Sequence, residues 1–200
     1  MRKYLLTLLL LSFGVLTWAQ GYKPGDKAID FKLKNIDGQY VSLADFKEAK
    51  GFIVVFTCNH CPFSKMYEDR IIALDKKYKP LGYPVVAINP NDPKKQPEDS
   101  FDKMIERAKE KGFTFPYLFD ETQEIARTYG ATNTPHVFVL KKEGKDLIVS
   151  YIGAIDDSPR EASKASKKYV EQAVDALLSG KEVQVKQAKA IGCTIKWKEM

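Results

Sequence analysis

Apolar and polar positions along the chain follow two periods, and the switches between them mark the elements. Residues 52–56, Phe-Ile-Val-Val-Phe, are an unbroken apolar, largely β-branched run, the pattern of a strand covered on both faces. From Pro62 the spacing changes. Phe63, Met66, Tyr67, Ile71, Leu74 and Tyr78 recur at helical intervals and predict one buried face. Residues 84–89 are a second buried run, so strand, helix and strand predict a right-handed parallel βαβ unit. Upstream, Ile29, Phe31 and Leu33 alternate, Asp37-Gly38 signals a turn, and Tyr40, Val41 and Leu43 continue the alternation as a hairpin. Residues 42–46 predict a short helical turn.

Downstream, Pro90, Pro93 and Pro97 make 89–97 a loop. Pro97, Glu98 and Asp99 then suit a helix start ahead of Phe101, Met104, Ile105 and Ala108. Residues 115–120 lead into a short helix over 122–129 that Gly130 closes. Thr134-Pro135 before the apolar run 136–140 predicts a fixed proline turn, and 142–145 joins that strand to 146–151 as an antiparallel hairpin. A helix is expected over 160–178, with Tyr169, Val170, Ala173, Val174, Leu177 and Leu178 inward. In the tail Ile191, Cys193, Ile195 and Trp197 alternate, which predicts a short docked extended segment. No repeat or linker interrupts the pattern, so 20–200 reads as one domain with a tail at 181–200.

Residues 1–19 break this pattern. Arg2 and Lys3 precede a short apolar stretch ending in Thr17-Trp18-Ala19, as in a secretory signal peptide cleaved near Gln20. The expectation is a periplasmic or extracellular protein with no membrane span left once the leader is removed. Without Arg2 and Lys3, the 32 basic residues fall to 30 against 26 acidic ones. The lysines are scattered with no stacking aromatics between them, a solvated surface and not a nucleic-acid footprint.

The chemistry lies between the buried strand and the helix, where Cys58-Asn59-His60-Cys61 precedes Pro62. A C-x-x-C at a strand-to-helix turn is a redox motif, because a thiol at a helix start meets unpaired N–H groups and the positive end of the helix dipole. Proline favours the first helical position, which makes Cys61 the cap residue and the preferred nucleophile, with Cys58 as its resolving partner and Asn59 and His60 as tuning residues; the other register, with Cys58 capping the helix and leading, is the alternative. A reversible bond between Cys58 and Cys61 is expected. Other uses of the pair are half a structural zinc site, for which no second ligand pair exists, an inert disulfide, or a copper site completed by a histidine. No cofactor or metal is needed for the redox reading. Cys193 is left over, either a buried small hydrophobe or a third redox thiol.

The order of parts, with the opening Asp30-Phe31-x-Leu33 to Leu43-x-Asp45-Phe46, then Cys58-Asn59-His60-Cys61-Pro62-Phe63, then Thr134-Pro135, resembles the thioredoxin superfamily. It is most similar to the redoxin or peroxiredoxin-like branch related to alkyl hydroperoxide reductase and thiol-specific antioxidant proteins. The resemblance covers about 24–180. It implies an α/β thioredoxin-like fold: a central mixed sheet flanked by helices, with an N-terminal hairpin and an inserted helix. It implies that Pro135 is a cis-proline against the active cysteine, with Thr134 and His136 beside the site, and that the partners are protein thiols or disulfides. Residues 192–197 look like the tail of an exported peroxiredoxin-like subgroup with the same cysteine motif. Two features depart from a thiol peroxidase, which is the alternative activity. Cys58 stands three before Cys61, where a Thr or Ser is usual, and His136, not Arg, follows Pro135.

Overall fold

The computed structural model describes residues 21–199; the expected leader at 1–19 lies outside them. Ten strands form: β1 (Lys27–Ala28), β2 (Lys32–Asn35), β3 (Tyr40–Ser42), β4 (Gly51–Phe56), β5 (Val85–Asn89), β6 (Tyr117–Phe119), β7 (Asn133–Thr134), β8 (His136–Glu143), β9 (Asp146–Gly153) and β10 (Cys193–Thr194). The helices are α1 (Pro62–Tyr78), α2 (Phe101–Lys111), α3 (Glu124–Tyr129) and α4 (Tyr169–Leu178). Eight strands make one mixed sheet in the order β1-β9-β8-β4-β5-β6-β2-β3, and β10 pairs with β7 apart from it. β4 pairs in parallel with β5 and antiparallel with β8. This is the expected α/β architecture: a mixed sheet between helices, with an opening hairpin and an inserted helix.

Every residue of β4 is buried because it is central and loaded on both faces. Ile53 and Val55 join Tyr67, Ile71 and Leu74 of α1, Met104 of α2 and Val170 and Val174 of α4 in one apolar layer. Phe52, Val54 and Phe56 join Leu43, Ala126, Tyr129, Phe138 and the tail residue Ile195 in the other. At this depth each large side chain contributes about 1.5–3 kcal/mol. Two buried carboxylates brace the first layer. Glu68 of α1 receives Nε and Nη2 of Arg107 from α2, at 2.8 and 2.6 Å, and Asp156 receives Tyr67 Oη and Arg70 Nη1 at 2.9 and 2.6 Å.

Several expectations need correction. Ile29 and Met66 point outward, and β2 starts only at Lys32. The helix expected from 160 begins at Tyr169, because 160–168 is serine- and lysine-rich with no apolar face to bury. There Asp157 accepts the N–H groups of Ser166 and Lys167 instead. Residues 117–119 form β6, a strand that pairs in parallel with β5. The 42–46 turn forms as a 3-10 turn at 43–45, with Ser42 and Asp45 in a reciprocal capping box.

Candidate active site

α1 begins at Pro62, and Cys61 is its cap residue, as the proline position predicts. The cap sulfur nevertheless makes no cap hydrogen bond. It is joined to Cys193 in a disulfide, and Cys58 is a free, buried thiol. In this structure Cys61 is bonded to Cys193 and not to Cys58, so the cysteine left over in the sequence is paired. Spacing along the sequence could not reveal this, because the partner arrives from 132 residues away.

The helix-end N–H expected to favour Cys61 serves the other sulfur: the Cys61 N–H donates to Cys58 Sγ. Cys58 Sγ also shares a hydrogen bond with Thr134 Oγ1 at 3.1 Å and lies 3.7 Å from Ser64 Oγ. These donors do not make it acidic. Burial first, and the nearby Asp99 carboxylate second, push the Cys58 thiol up to about 11. Cys61 Sγ lies 3.2 Å from the Thr134 carbonyl oxygen. In the disulfide this sulfur has no proton, so the approach is a contact that becomes a hydrogen bond only on reduction. Thr134 thus touches both cysteines, with its side chain and its main chain, and the Thr134–Pro135 peptide bond is cis.

The Asn59-His60 insert is held by a residue that the sequence reading took only for part of a helix start. Asp99 Oδ1 accepts the N–H groups of Asn59 and His60 at 2.7 and 3.0 Å. Asp99 Oδ2 accepts Asn91 Nδ2 at 2.7 Å and His60 Nδ1 at 2.5 Å. Asn59 donates from Nδ2 to the Glu98 carbonyl and accepts from Tyr117 Oη, both at 2.9 Å. The proline-rich loop is therefore a mount for the cysteine motif. Asp99, Asn91 and Tyr117 carried no local signal, since a buried carboxylate facing two N–H groups 39–40 residues away is a tertiary arrangement.

His60 and His136 do different jobs from their sequence neighbourhood. His60 Nδ1 donates its N–H to Asp99 Oδ2 and lies 3.6 Å from Cys58 Sγ, so that nitrogen is already committed. His136 is buried, accepts the Thr132 N–H on Nδ1 at 3.3 Å and packs against Phe138. Burial pulls it down to about 4. As for metal, a copper site on Cys58, Cys61 and a histidine has no free Cys61 in this form. Cys58, His60 and Asp99 do approach within 4.8 Å, but both Asp99 oxygens are already bonded twice by the donors just named. Among the described residues, no arginine hydrogen-bonds to either motif sulfur. Arg70 and Arg107 serve Asp156 and Glu68, and Arg127 lies over Trp197.

The family model for the AhpC/TSA family matches residues 24–147, a span holding both motif cysteines and the cis-proline. This chain belongs to the AhpC/TSA family. The match stops short of Cys193 and the tail. A crystal structure of an uncharacterized conserved protein from Geobacillus kaustophilus is 41% identical, with 90% of this chain and 95% of that one covered and a TM-score of 0.83. The thiol-disulfide oxidoreductase ResA of Geobacillus thermodenitrificans is 29% identical over 72% of this chain and 82% of its own length. A thioredoxin family thiol:disulfide interchange protein from Chlorobium tepidum TLS shares the fold, with a TM-score of 0.59 at 20% identity over 78% of this chain and 98% of that one. The thioredoxin-like reading of this family member is thus correct. Among its described residues, no helix is long and apolar enough to cross a membrane.

Proposed function

We propose that this chain is an exported thiol–disulfide oxidoreductase acting on protein thiols and disulfides. One observation carries the reading: a buried free thiol, Cys58, lies in the same Thr134-centred pocket as a disulfide whose inner sulfur is Cys61. The ResA relative supports the same activity. In this reading Cys61 is the sulfur that bonds the partner and Cys58 resolves it. Cys61 suits the first role because a strand from outside the motif already reaches it covalently. Cys58 suits the second because its thiol is held protonated near neutral pH by burial and by Asp99, so it waits until a disulfide is delivered beside it. Asn59 and His60 set the loop through Asp99, and Thr134 and Pro135 line the pocket; His136 supports the turn through Thr132. Residues 1–19 act as a removable leader, and 20–200 are the working domain.

The test is catalysed reduction of insulin disulfides by dithiothreitol. Wild type should accelerate it, Cys61→Ser should fall to the reagent background, and Cys58→Ser should accumulate a mixed disulfide at Cys61, read by mass spectrometry after acid quench. Full activity in Cys61→Ser overturns the assignment.

A further inference from the structure

The tail reaches Cys61 as more than a cysteine on a tether. β10 lies antiparallel on β7, with Cys193 opposite Thr134 and Thr194 opposite Asn133. β7 has no other strand neighbour among the described residues, so without the tail it is an open edge ending at the cis-proline. The bonds continue on either side. Asn133 Nδ2 donates to the Gly192 carbonyl at 3.0 Å, the Ile195 N–H donates to the Thr132 carbonyl at 3.1 Å, and the Lys196 N–H donates to Asn91 Oδ1 at 2.8 Å. The Asp92 N–H donates to the Lys196 carbonyl at 2.9 Å.

Nearly all of these bonds use the tail's main chain, which any extended peptide carries. Side-chain demands fall on three positions. Residue 193 must supply a sulfur. Residue 192 must be glycine or nearly so, since a Cβ there would lie 2.2 Å from the Thr134 carbonyl oxygen. Residue 195 must be apolar, since Ile195 is 4% exposed within the layer that holds Phe56 and Phe138. Thr194 between them is exposed.

We infer that the β7 edge and Cys61 form a docking groove for an extended partner segment with a small residue, a cysteine, any residue and an aliphatic one in sequence, and that 192–195 occupy it as a built-in stand-in for that partner. This rests on the thiol–disulfide reading above and adds the partner's form. Engagement is one exchange step. The partner's thiolate attacks Cys61 Sγ, a partner–Cys61 disulfide forms, the Cys61–Cys193 bond breaks, and the electron pair leaves on Cys193 Sγ, which takes up a proton. Two sulfurs trade places with no net oxidation. Cys58 can then attack Cys61 and expel the partner as a thiol, leaving a 58–61 disulfide, so Cys58→Ser holds the mixed disulfide in place.

The experiment uses full-length Cys58→Ser protein, isolated with the 61–193 disulfide intact, and a free-thiol peptide of residues 189–199. Peptide versions carrying Ile195→Asp or Gly192→Val serve as comparisons, with glutathione as a thiol that makes no ladder. Mixed disulfide at Cys61 is read by mass spectrometry over a titration around millimolar thiol, the range in which a tethered tail competes. The native-sequence peptide should reach half-yield at about tenfold lower concentration than either altered peptide, the effect of losing one buried aliphatic contact. Altering the peptide leaves the protein's folding untouched. Equal half-yields for all four thiols overturn the docking groove while leaving the exchange reading intact. A 61–193 bond that neither these thiols nor dithiothreitol can open in the folded protein overturns both.

Discussion

At the residue scale, the site is governed by buried groups whose charge state the surroundings set. Cys58 has donors from Thr134 and the Cys61 N–H, yet burial and Asp99 keep it a thiol. His136 is the clearer case for measurement, because burial alone moves it from 6.5 to about 4. A depressed histidine favours the folded state above the unfolded value and loses that contribution as pH falls towards the folded one. Between pH 6.5 and 4 wild type should lose about 3 kcal/mol from this group, given 1.36 kcal/mol for each pH unit of displacement. His136→Phe should flatten that part of the stability profile in urea titrations, and an unchanged acid slope would mean that another group carries it.

At the element scale, the start of α1 is held from outside its own sequence. The loop and 3-10 turn at 97–99 deliver Asp99 under Asn59 and His60, and the same Asp99 bonds Asn91, whose Oδ1 takes the Lys196 N–H from the tail. Loop, motif and tail are thus joined through one carboxylate and one amide. Asp99→Ala should strand the N–H groups of Asn59 and His60 in a buried place and destabilise the fold by about 2–6 kcal/mol, at about 1–3 kcal/mol for each unmet group. It should also speed alkylation of Cys58, since the charge that opposes its ionisation is gone. A urea midpoint and a Cys58 labelling rate both equal to wild type would show that the loop is held some other way.

Across the whole molecule, the Cys61–Cys193 link ties the tail to the centre of the sheet and closes 132 residues of chain. A loop of that length restricts the unfolded chain by up to about 5 kcal/mol in the chain-entropy account. Cys193→Ser, compared with oxidised wild type, should lower unfolding free energy towards that limit. Compared with fully reduced wild type it should be close to neutral, because the noncovalent tail bonds survive in both. A large gap against the reduced protein would mean that the Cys193 side chain contributes through packing and not through the bond.

The sequence by itself determined the elements whose causes are local. The unbroken run at 52–56 could only be a doubly covered strand, Pro62 placed the start of α1 and with it the cap role of Cys61, Asp37-Gly38 turned the hairpin, and alternation at 191–197 foretold an extended tail. It also placed Thr134-Pro135 beside the cysteine motif through family resemblance. Tertiary structure decided what depends on groups far apart in the chain. Helical spacing marked Met66 as inward, but folding leaves it exposed. Spacing set Cys58 beside Cys61 but could not show Cys193, which the β7 edge brings to the same sulfur. Asp99 was an ordinary acidic residue until folding set it beneath two N–H groups and beside a thiol. Local steric and hydrophobic preferences act within a few residues and are written in the chain, while the pairing of sulfurs and the charge state of buried groups exist only once distant segments share one interior.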